Sequence, residues 1–414
     1  MSLLLLPQPA PALRSAEEEN ERLVEPSVLA NSDAMGVWDL NLRHLQAIVR
    51  IAELGSICAA AQAVNLTQPA ITAALARSEV TLGAQLFDRR HDGMMPTDAA
   101  LLLVPRIRAA LDHIGSPLVT TSRMRALLAL ADSGSYSAAS ARTGLSLPSL
   151  QRAVTDLSLS LRRTLVERRG KGVALSGSGL QVARAFRLAL VELDAGLAEL
   201  AALQGRETRR ITVGAMPLSR ARVLPAAVNR FLRRHPGVKI SILEGSRAEL
   251  VEPLRNGAID LMIGALREPL LEPDVLQQPL FHDLPVVVAR KGHPLEGREP
   301  GLAELIAYPW VTAASGAPLR DSWEHMFALA GLPLPQVPVE SGSVMTIRQL
   351  LMDSDFLTLL SPDQVEVELE AGWLTVLRLA PSELKRTIGV TTRDSWRPTA
   401  VQAEFVADLK AAAS

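Results

Sequence analysis

The chain has a single cysteine, Cys58, among 414 residues. That excludes a disulfide framework and a structural zinc held by several cysteines of one chain, and it fits a reducing compartment. Aromatic residues are scarce, at 3%, so alanine, leucine and valine must fill the interior. Stacking of unpaired bases on aromatic platforms is therefore not expected. There is no stretch of about 18 uninterrupted apolar residues, which argues against a membrane span. Met1 to Leu13 holds the run Leu3–Leu6 and then prolines, with no basic residue before it, unlike a secretory signal. A cytoplasmic location is the expectation. The histidines, His44, His91, His113, His235, His282, His293 and His325, are scattered without metal-ligand spacing. No nucleophile elbow or phosphate loop occurs, so neither catalysis, a metal nor a cofactor is expected.

Charge of one sign is also lacking, the formal net being -1. Lys and Arg number 2 against 6 Asp and Glu in residues 1–37, 18 against 13 in 38–205, and 23 against 25 beyond. This basic excess in the middle third is too small to establish nucleic-acid binding by itself. Residues 1–37, with Glu17–Glu21, read as a flexible acidic leader. What the chain does have is 48% hydrophobic and 21% charged residues, the balance of a globular protein with two or three domains.

It also has an internal repeat. Gly55-Ser56 recurs as Gly134-Ser135, 79 residues later. At that offset Ala59-Ala60 falls on Ala138-Ala139, Leu66 on Leu145, Pro69 on Pro148, Leu82 on Leu161, Leu86 on Leu165, Arg89-Arg90 on Arg168-Arg169 and Gly93 on Gly172. In the first copy Leu42, Leu45, Ile48, Val49 and Ala52 keep helical spacing up to Gly55. Ser56 caps a second helix of small residues, and Thr67 caps a third with Pro69 in its first turn. Arg89–Gly93 is a polar hairpin tip and Met94–Thr97 its return strand. The second copy runs Met124–Ala131, Ser135–Arg142 and Ser146–Leu157, with Arg168, Arg169 and Lys171 in its tip. Each copy is a winged helix-turn-helix. A duplicated three-helix bundle that binds protein is the plainer alternative. Against it, Thr67, Gln68 and Thr72, and then Ser146, Ser149, Gln151 and Arg152, stand where a recognition helix meets base edges. Paired wing arginines suit phosphates or the minor groove. Ser56 and Ser135 join these as candidate DNA contacts.

The run Gly55-Ser56…Ala59-Ala60…Leu66-Thr67-Gln68-Pro69-Ala70-Ile71-Thr72…Leu82-Gly83…Leu86-Phe87-Asp88-Arg89 resembles the DNA-binding signature of LysR-type transcription regulators. After Thr72 that family commonly has an arginine or other polar pair, whereas this chain has Ala73-Ala74. The second copy has Leu147 and Arg162-Arg163 in place of Gln68 and Gly83-Ala84, yet keeps Gln151-Arg152. The expectation is that both copies bind DNA and neither is a full-strength reader. Thr97–Ile114 and Ser176–Gln204 are alanine- and leucine-rich with helical period. In LysR-like proteins such a helix pairs antiparallel with that of a partner subunit. Two in one chain suggest that the first packs on the second as an internal pseudo-dimer. A true dimer then presents four winged helices, and a homo-dimer or homo-tetramer is expected.

From Arg209 the pattern turns to strands alternating with helices, implying a parallel sheet. Strands are expected at Ile211–Gly214, Val238–Leu243 and Leu261–Gly264, with helices at Leu218–His235 and Arg247–Asn256. A second series runs from Pro285 to Leu360, and Thr387–Thr391 with Ala400–Ala411 returns to the first lobe. The fragments Arg234-His235-Pro236-Gly237-Val238, Leu254–Leu261 and Gly292-His293-Pro294-Leu295 again resemble the LysR family. The likeness covers about residues 39–412 and implies a multidomain protein: tandem all-α winged helix-turn-helix units plus an α/β two-lobed periplasmic-binding-protein-like domain. The expected boundaries are 38–115 and 116–205 for the two DNA units and 206–414 for the effector domain. Lobe one takes about 206–283 and 362–414, and lobe two 284–361.

In open α/β lobes ligands meet strand ends that feed helix starts. Candidate effector contacts are Pro217, Leu218, Ser219 and Arg220 after the first strand, Gly245, Ser246 and Arg247 after the second, and Gly264 after the third. Ser315, Gly316 and Ser343 are their counterparts in the other lobe. For each serine a helix cap is an equally good reading, and for the arginines a solvated guanidinium. Gly214–Arg220 with Tyr308-Pro309-Trp310 resembles a family branch that includes galactose-binding-protein regulators and regulators of aromatic catabolism, which implies a sugar or an aromatic or organic acid. Two alternatives share the two-lobed fold. A solute-binding module is exported, which is incompatible with the winged helices. A redox sensor of this family uses effector-domain cysteines, and Cys58 lies elsewhere.

Overall fold

The computed structural model describes residues 36–91, 93–170, 172–206 and 209–413. Most of the acidic leader and Lys171 thus lie outside the described residues. Val37, read as the end of the leader, instead begins a 3₁₀ turn (Val37–Asp39) and is 1% exposed. One apolar residue after an acidic stretch carries no period by which to recognise it.

Helix α1 (Leu42–Leu54) starts at Asn41, whose side chain accepts the Arg43 N–H at 3.0 Å, and ends on Gly55 at φ 63°. Its Leu42, Leu45, Ile48, Val49 and Ile51 are buried at helical spacing. Helix α2 (Ile57–Ala63) begins at the Ser56 cap and buries Ala60 and Ala61, small side chains that let it lie close to α1. Helix α3 (Gln68–Leu82) is capped by Thr67 and buries Ile71, Ala74, Leu75 and Leu82. Strands β1 (Phe87–Arg90) and β2 (Gly93–Pro96) form the antiparallel wing. Met94 N donates to Gly55 O at 2.8 Å, pinning the wing to the end of α1. A Cβ on Gly93 would stand 2.5 Å from that oxygen, and its φ is 135°, so this approach needs glycine.

Helix α4 (Asp98–Ile114) follows from the Thr97 cap. The second copy comprises α5 (Thr121–Ser133), α6 (Tyr136–Thr143), α7 (Leu147–Leu161), β3 (Val166–Arg169), β4 (Gly172–Leu175) and α8 (Gly177–Leu203). Its helix caps keep the 79-residue offset: Thr120 for Asn41, Ser135 for Ser56, Ser146 for Thr67 and Ser176 for Thr97. Helices α4 and α8 pack on one another within the chain, and both modules share one apolar core.

The effector domain contains β5 (Arg209–Ala215), α9 (Val223–Leu232), β6 (Val238–Glu244), α10 (Arg247–Arg255), β7 (Leu261–Ala265) and β8 (Val275–Asp283). Next come β9 (Val286–Arg290), α11 (Leu302–Leu305), β10 (Val311–Thr312), α12 (Pro318–Leu329), β11 (Val339–Glu340), α13 (Val344–Met352), β12 (Thr358–Leu360), α14 (Glu366–Glu370) and β13 (Leu374–Leu379). The chain ends with β14 (Arg386–Arg393) and α15 (Ala400–Ala413). Lobe one is a sheet in the order β6-β5-β7-β14-β8, parallel among the first three and antiparallel at β14. Helices α9 and α15 pack together through Phe231 and Phe405, whose ring centroids are 5.3 Å apart. Lobe two has the sheet β12-β9-β13 and the parallel pair β10-β11 around Trp310, Trp323 and Phe327.

Two expectations need correction. Residues 362–385 belong to lobe two: β13 pairs antiparallel with β9, and Leu374, Leu377, Ala380 and Leu384 pack in lobe-two cores. The return to lobe one is at Arg386. The helix expected over Leu218–His235 is broken into a 3₁₀ turn (Pro217–Arg220) and α9. The Ser219 hydroxyl lies between Met216 O, 2.8 Å away within the turn, and Ile263 O of β7, 3.2 Å away, which holds the turn against the sheet.

Candidate nucleic-acid interface and effector site

Both third helices turn a polar first turn to solvent. Thr67, Gln68 and Pro69 are exposed at the start of α3, and Ser146, Ser149, Gln151 and Arg152 at the start of α7. Thr72 is half-buried, and its hydroxyl donates to Gln68 O at 3.0 Å, leaving its lone pairs for an outside donor. Thr67 and Ser146 Oγ accept the N–H groups of Ala70 and Ser149, which fixes the entry of each helix. Ser56 and Ser135 are caps in the same way, accepting from Ala59 N and Ala138 N. Arg89, Arg90, Arg168 and Arg169 are all exposed at the hairpin tips. In identical registers Arg89 stands across from Met94 and Arg168 from Val173.

In the effector domain the loops after β5, β6 and β7 gather at one edge of lobe one, since these strands are adjacent and parallel. The side chains differ from expectation. Ser219 is 0% exposed, its hydroxyl is held by Met216 O and Ile263 O, and its N–H is bonded to Met216 O. It braces the turn and offers nothing to a ligand. Leu218 is buried too. Gly264 is covered by Met216, whose Cε would lie 1.9 Å from a Cβ there. Pro217 stays exposed, and Arg220 pairs with Glu244. Ser246 caps α10 in a reciprocal box with Glu249, whose carboxyl these hydrogen bonds hold below the ordinary range. Arg247, after Gly245 and Ser246, donates through Nη2 to Glu272 at 2.6 Å, while its Nη1 is buried without an acceptor among the described residues. In lobe two Ser315 and Gly316 follow β10 and are exposed. Ser343 caps α13, accepting from Thr346 N, and Ser341 follows the neighbouring β11.

The lobes touch where the Pro217–Arg220 turn meets the 3₁₀ turn Pro362–Gln364, and Arg222 pairs with Asp363 at 3.0 Å. At the crossover, buried Asp283 accepts from Arg386 Nε and Ser361 Oγ, both at 2.6 Å.

Family comparison decides what this architecture is. The family model described as "Bacterial regulatory helix-turn-helix protein, lysR family" matches twice, over residues 42–101 and 121–180. "LysR substrate binding domain" matches residues 204–414. The chain belongs to the LysR family of transcription regulators. The regulator GalR of Pseudomonas putida is 33% identical over 366 residues, 85% of this chain and 92% of its own length. A probable hydrogen peroxide-inducible genes activator of Streptomyces viridosporus is 31% identical over 70% of this chain and 93% of its own. Among solved structures, a full-length OxyR variant of Pseudomonas aeruginosa shares the fold at TM-score 0.51 and 23% identity, covering 70% of this chain and 93% of that one.

Sequence reasoning missed part of the exposed face of each third helix in this LysR protein. Arg77 in α3 and Thr155 in α7 are exposed one turn beyond the residues singled out. Their spacing of four or five from Thr72 and Gln151 was the available signal. Contacts that join the DNA-reading half to the effector domain had no such signal. Arg106 on α4 donates to Arg397 O at 2.7 Å, and Arg184 on α8 pairs with Glu252 and, at 3.7 Å, with Asp274. Among the described residues no helix is long and apolar enough to cross a membrane.

Proposed function

We propose that this LysR-family protein binds double-stranded promoter DNA through α3, α7 and both wings, and that a small-molecule effector held between the lobes changes that binding. The observation that carries it is the pair of solvent-open polar helix starts, each beside a hairpin ending in two exposed arginines. Residues 38–115 and 116–205 act as the DNA units and 206–414 as the sensor. Gln68, Gln151 and Arg152 read base edges in the major groove. Arg89, Arg90, Arg168, Arg169 and Lys171 hold phosphates.

The effector class that fits is a small organic acid, because the buried Arg247 Nη1 wants an anionic acceptor. The exposed loops Ser315-Gly316 and Ser341–Ser343 supply hydroxyl and backbone donors from the other lobe. Binding shifts the angle between lobes only so far as the ligand prefers one arrangement. The Arg106–Arg397 and Arg184–Glu252 contacts carry that shift to α4 and α8. Chains associate further as dimers or tetramers. One relative's printed name is a peroxide response activator. Here the only cysteine, Cys58, stands in α2, outside the effector domain, so a small-molecule inducer is favoured over thiol oxidation.

The test is fluorescence anisotropy on promoter duplexes across a salt series. Arg152→Ala is expected to lower the preference for cognate over random DNA by about 1–3 kcal/mol. Arg89→Ala and Arg168→Ala should weaken all duplexes alike and reduce the salt slope by about one each. Absence of salt-sensitive affinity for any duplex would reject the assignment.

A further inference from the structure

Resting on the reading of α3 and α7 as DNA readers, we propose that each chain by itself reads a DNA site built of two unlike half-sites. The cluster of buried Arg106 and Glu192 with half-buried Glu199 is what holds the readers in that unlike pair.

Helices α4 and α8 run antiparallel within the chain. A Cβ on Gly196 would lie 2.9 Å from Leu103 Cδ1 and 3.1 Å from Arg106 Cβ, while Asp112 and His113, further along α4, line one pocket with Glu192. Ala110 and Ala189, equivalent at the 79-residue offset, are 1% and 0% exposed near the middle of the pair. Contacts between the modules are exchanged across this axis. The Val37–Asp39 turn of copy one lies on α5 and α8, and its counterpart near Pro117 lines a pocket with α1. Thr121 Oγ1 at the start of α5 donates to Leu40 O at 2.9 Å. One chain thus has the approximate two-fold arrangement that two identical chains would otherwise create.

The pairing is not self-complementary. Arg106, 6% exposed, donates to Glu192 at 3.1 Å and to Glu199 at 3.2 and 2.8 Å. At the 79-residue offset Arg106 corresponds to Ala185, Glu192 to His113 and Glu199 to Thr120. Pairing α4 with the α4 of a second chain in this register would bury a guanidinium with neither carboxylate. Pairing α8 with α8 would bury two carboxylates opposite alanine. Stripping one partner from a buried ion pair is far more costly than removing the pair whole, so both like-with-like pairings are disfavoured.

The readers so joined are chemically different. Down their exposed and half-exposed faces the offset sets Gln68 against Leu147, Ala70 against Ser149, Thr72 against Gln151, Ala73 against Arg152 and Arg77 against Asp156. Donors and acceptors differ at each position, so the two half-sites must differ in sequence.

The experiment is selection of bound duplexes from a random pool with the full chain, followed by affinity measurements. A motif of two dissimilar halves is expected, with Arg152→Ala relaxing one half and Gln68→Ala the other. Palindromes made from either half should bind about tenfold or more weakly than the native order. Selection of a palindrome, or equal affinity for one, overturns the inference while leaving the DNA reading intact; no duplex binding overturns both. In a Cys58→Ser background, Leu103→Cys with Gly196→Cys should oxidise to a product of one-chain mass, and a two-chain product contradicts the pairing. The packed apolar triple Arg106→Met, Glu192→Leu, Glu199→Leu should stay folded, lose discrimination against palindromes and yield mixed cross-links. Undiminished discrimination in that triple removes the cluster from its role.

Discussion

Single residues record how far the two copies have diverged. Gly83 closes α3 at φ 62°, and its counterpart Arg162 closes α7 at φ 52°. A side chain in the left-handed region is strained where glycine is not. Arg162→Gly should therefore stabilise the protein by about 0.5–1 kcal/mol, read as a rise in the urea midpoint at constant slope. Ser219 is instructive in the opposite sense. A serine after a strand reads equally as a ligand contact or a brace, and only its burial against Met216 O and Ile263 O decides for the brace. Arg247 reads in sequence as a solvated arginine or an anion partner; in the fold its guanidinium is paired with Glu272 and its Nη1 is buried.

Elements differ in how they announce themselves. Most first-half helices were legible within a residue or two where a cap marks them, from Ser56 and Thr67 through to Ser176, but α5 begins three residues before the expected Met124 and α7 runs four beyond Leu157. Strands β8 and β13 were not. Val275–Asp283 has a proline and alternates poorly, and Leu374–Leu379 is short and carries a bulge against β9. The wings look alike in sequence, yet among the described residues it is the first that is tied to its helix end, by Met94 N and Gly55 O. A Cβ on Gly172 meets nothing nearer than Arg169 O at 3.8 Å. Gly93→Ala should thus cost about 1–3 kcal/mol, with Gly172→Ala close to neutral, in thermal melts of the two variants.

At the scale of the molecule, the junction between DNA-reading and sensing halves is a titrating surface. Burial pushes His113 on α4 below the ordinary histidine range, with Glu192, Asp112, Arg393 and Arg397 as the charges around it. The folded chain then resists a proton that the unfolded chain takes up near pH 6.5. Stability linked to His113 is full above that pH and is lost as pH falls toward the depressed value. Relative to His113→Gln, the native chain should lose at most about 1.4 kcal/mol per pH unit in that window, measured by melts from pH 7.5 to 5.

By itself the sequence determined that there are two winged helix-turn-helix copies, where caps such as Ser56, Thr67 and Ser176 start their helices, and that an α/β sensor follows. Those are local matters of period, cap and turn, written within a few residues of where they act. Tertiary structure alone decided which residues join α4 to α8, a packing the repeat only suggested, that residues 362–385 join lobe two, and which of the serines and arginines are already engaged. Each of those depends on partners far apart in the chain, such as Arg106 and Glu199 or Val288 and Val376. Burial and desolvation, which set what a polar side chain is free to bind, exist only once such partners have met.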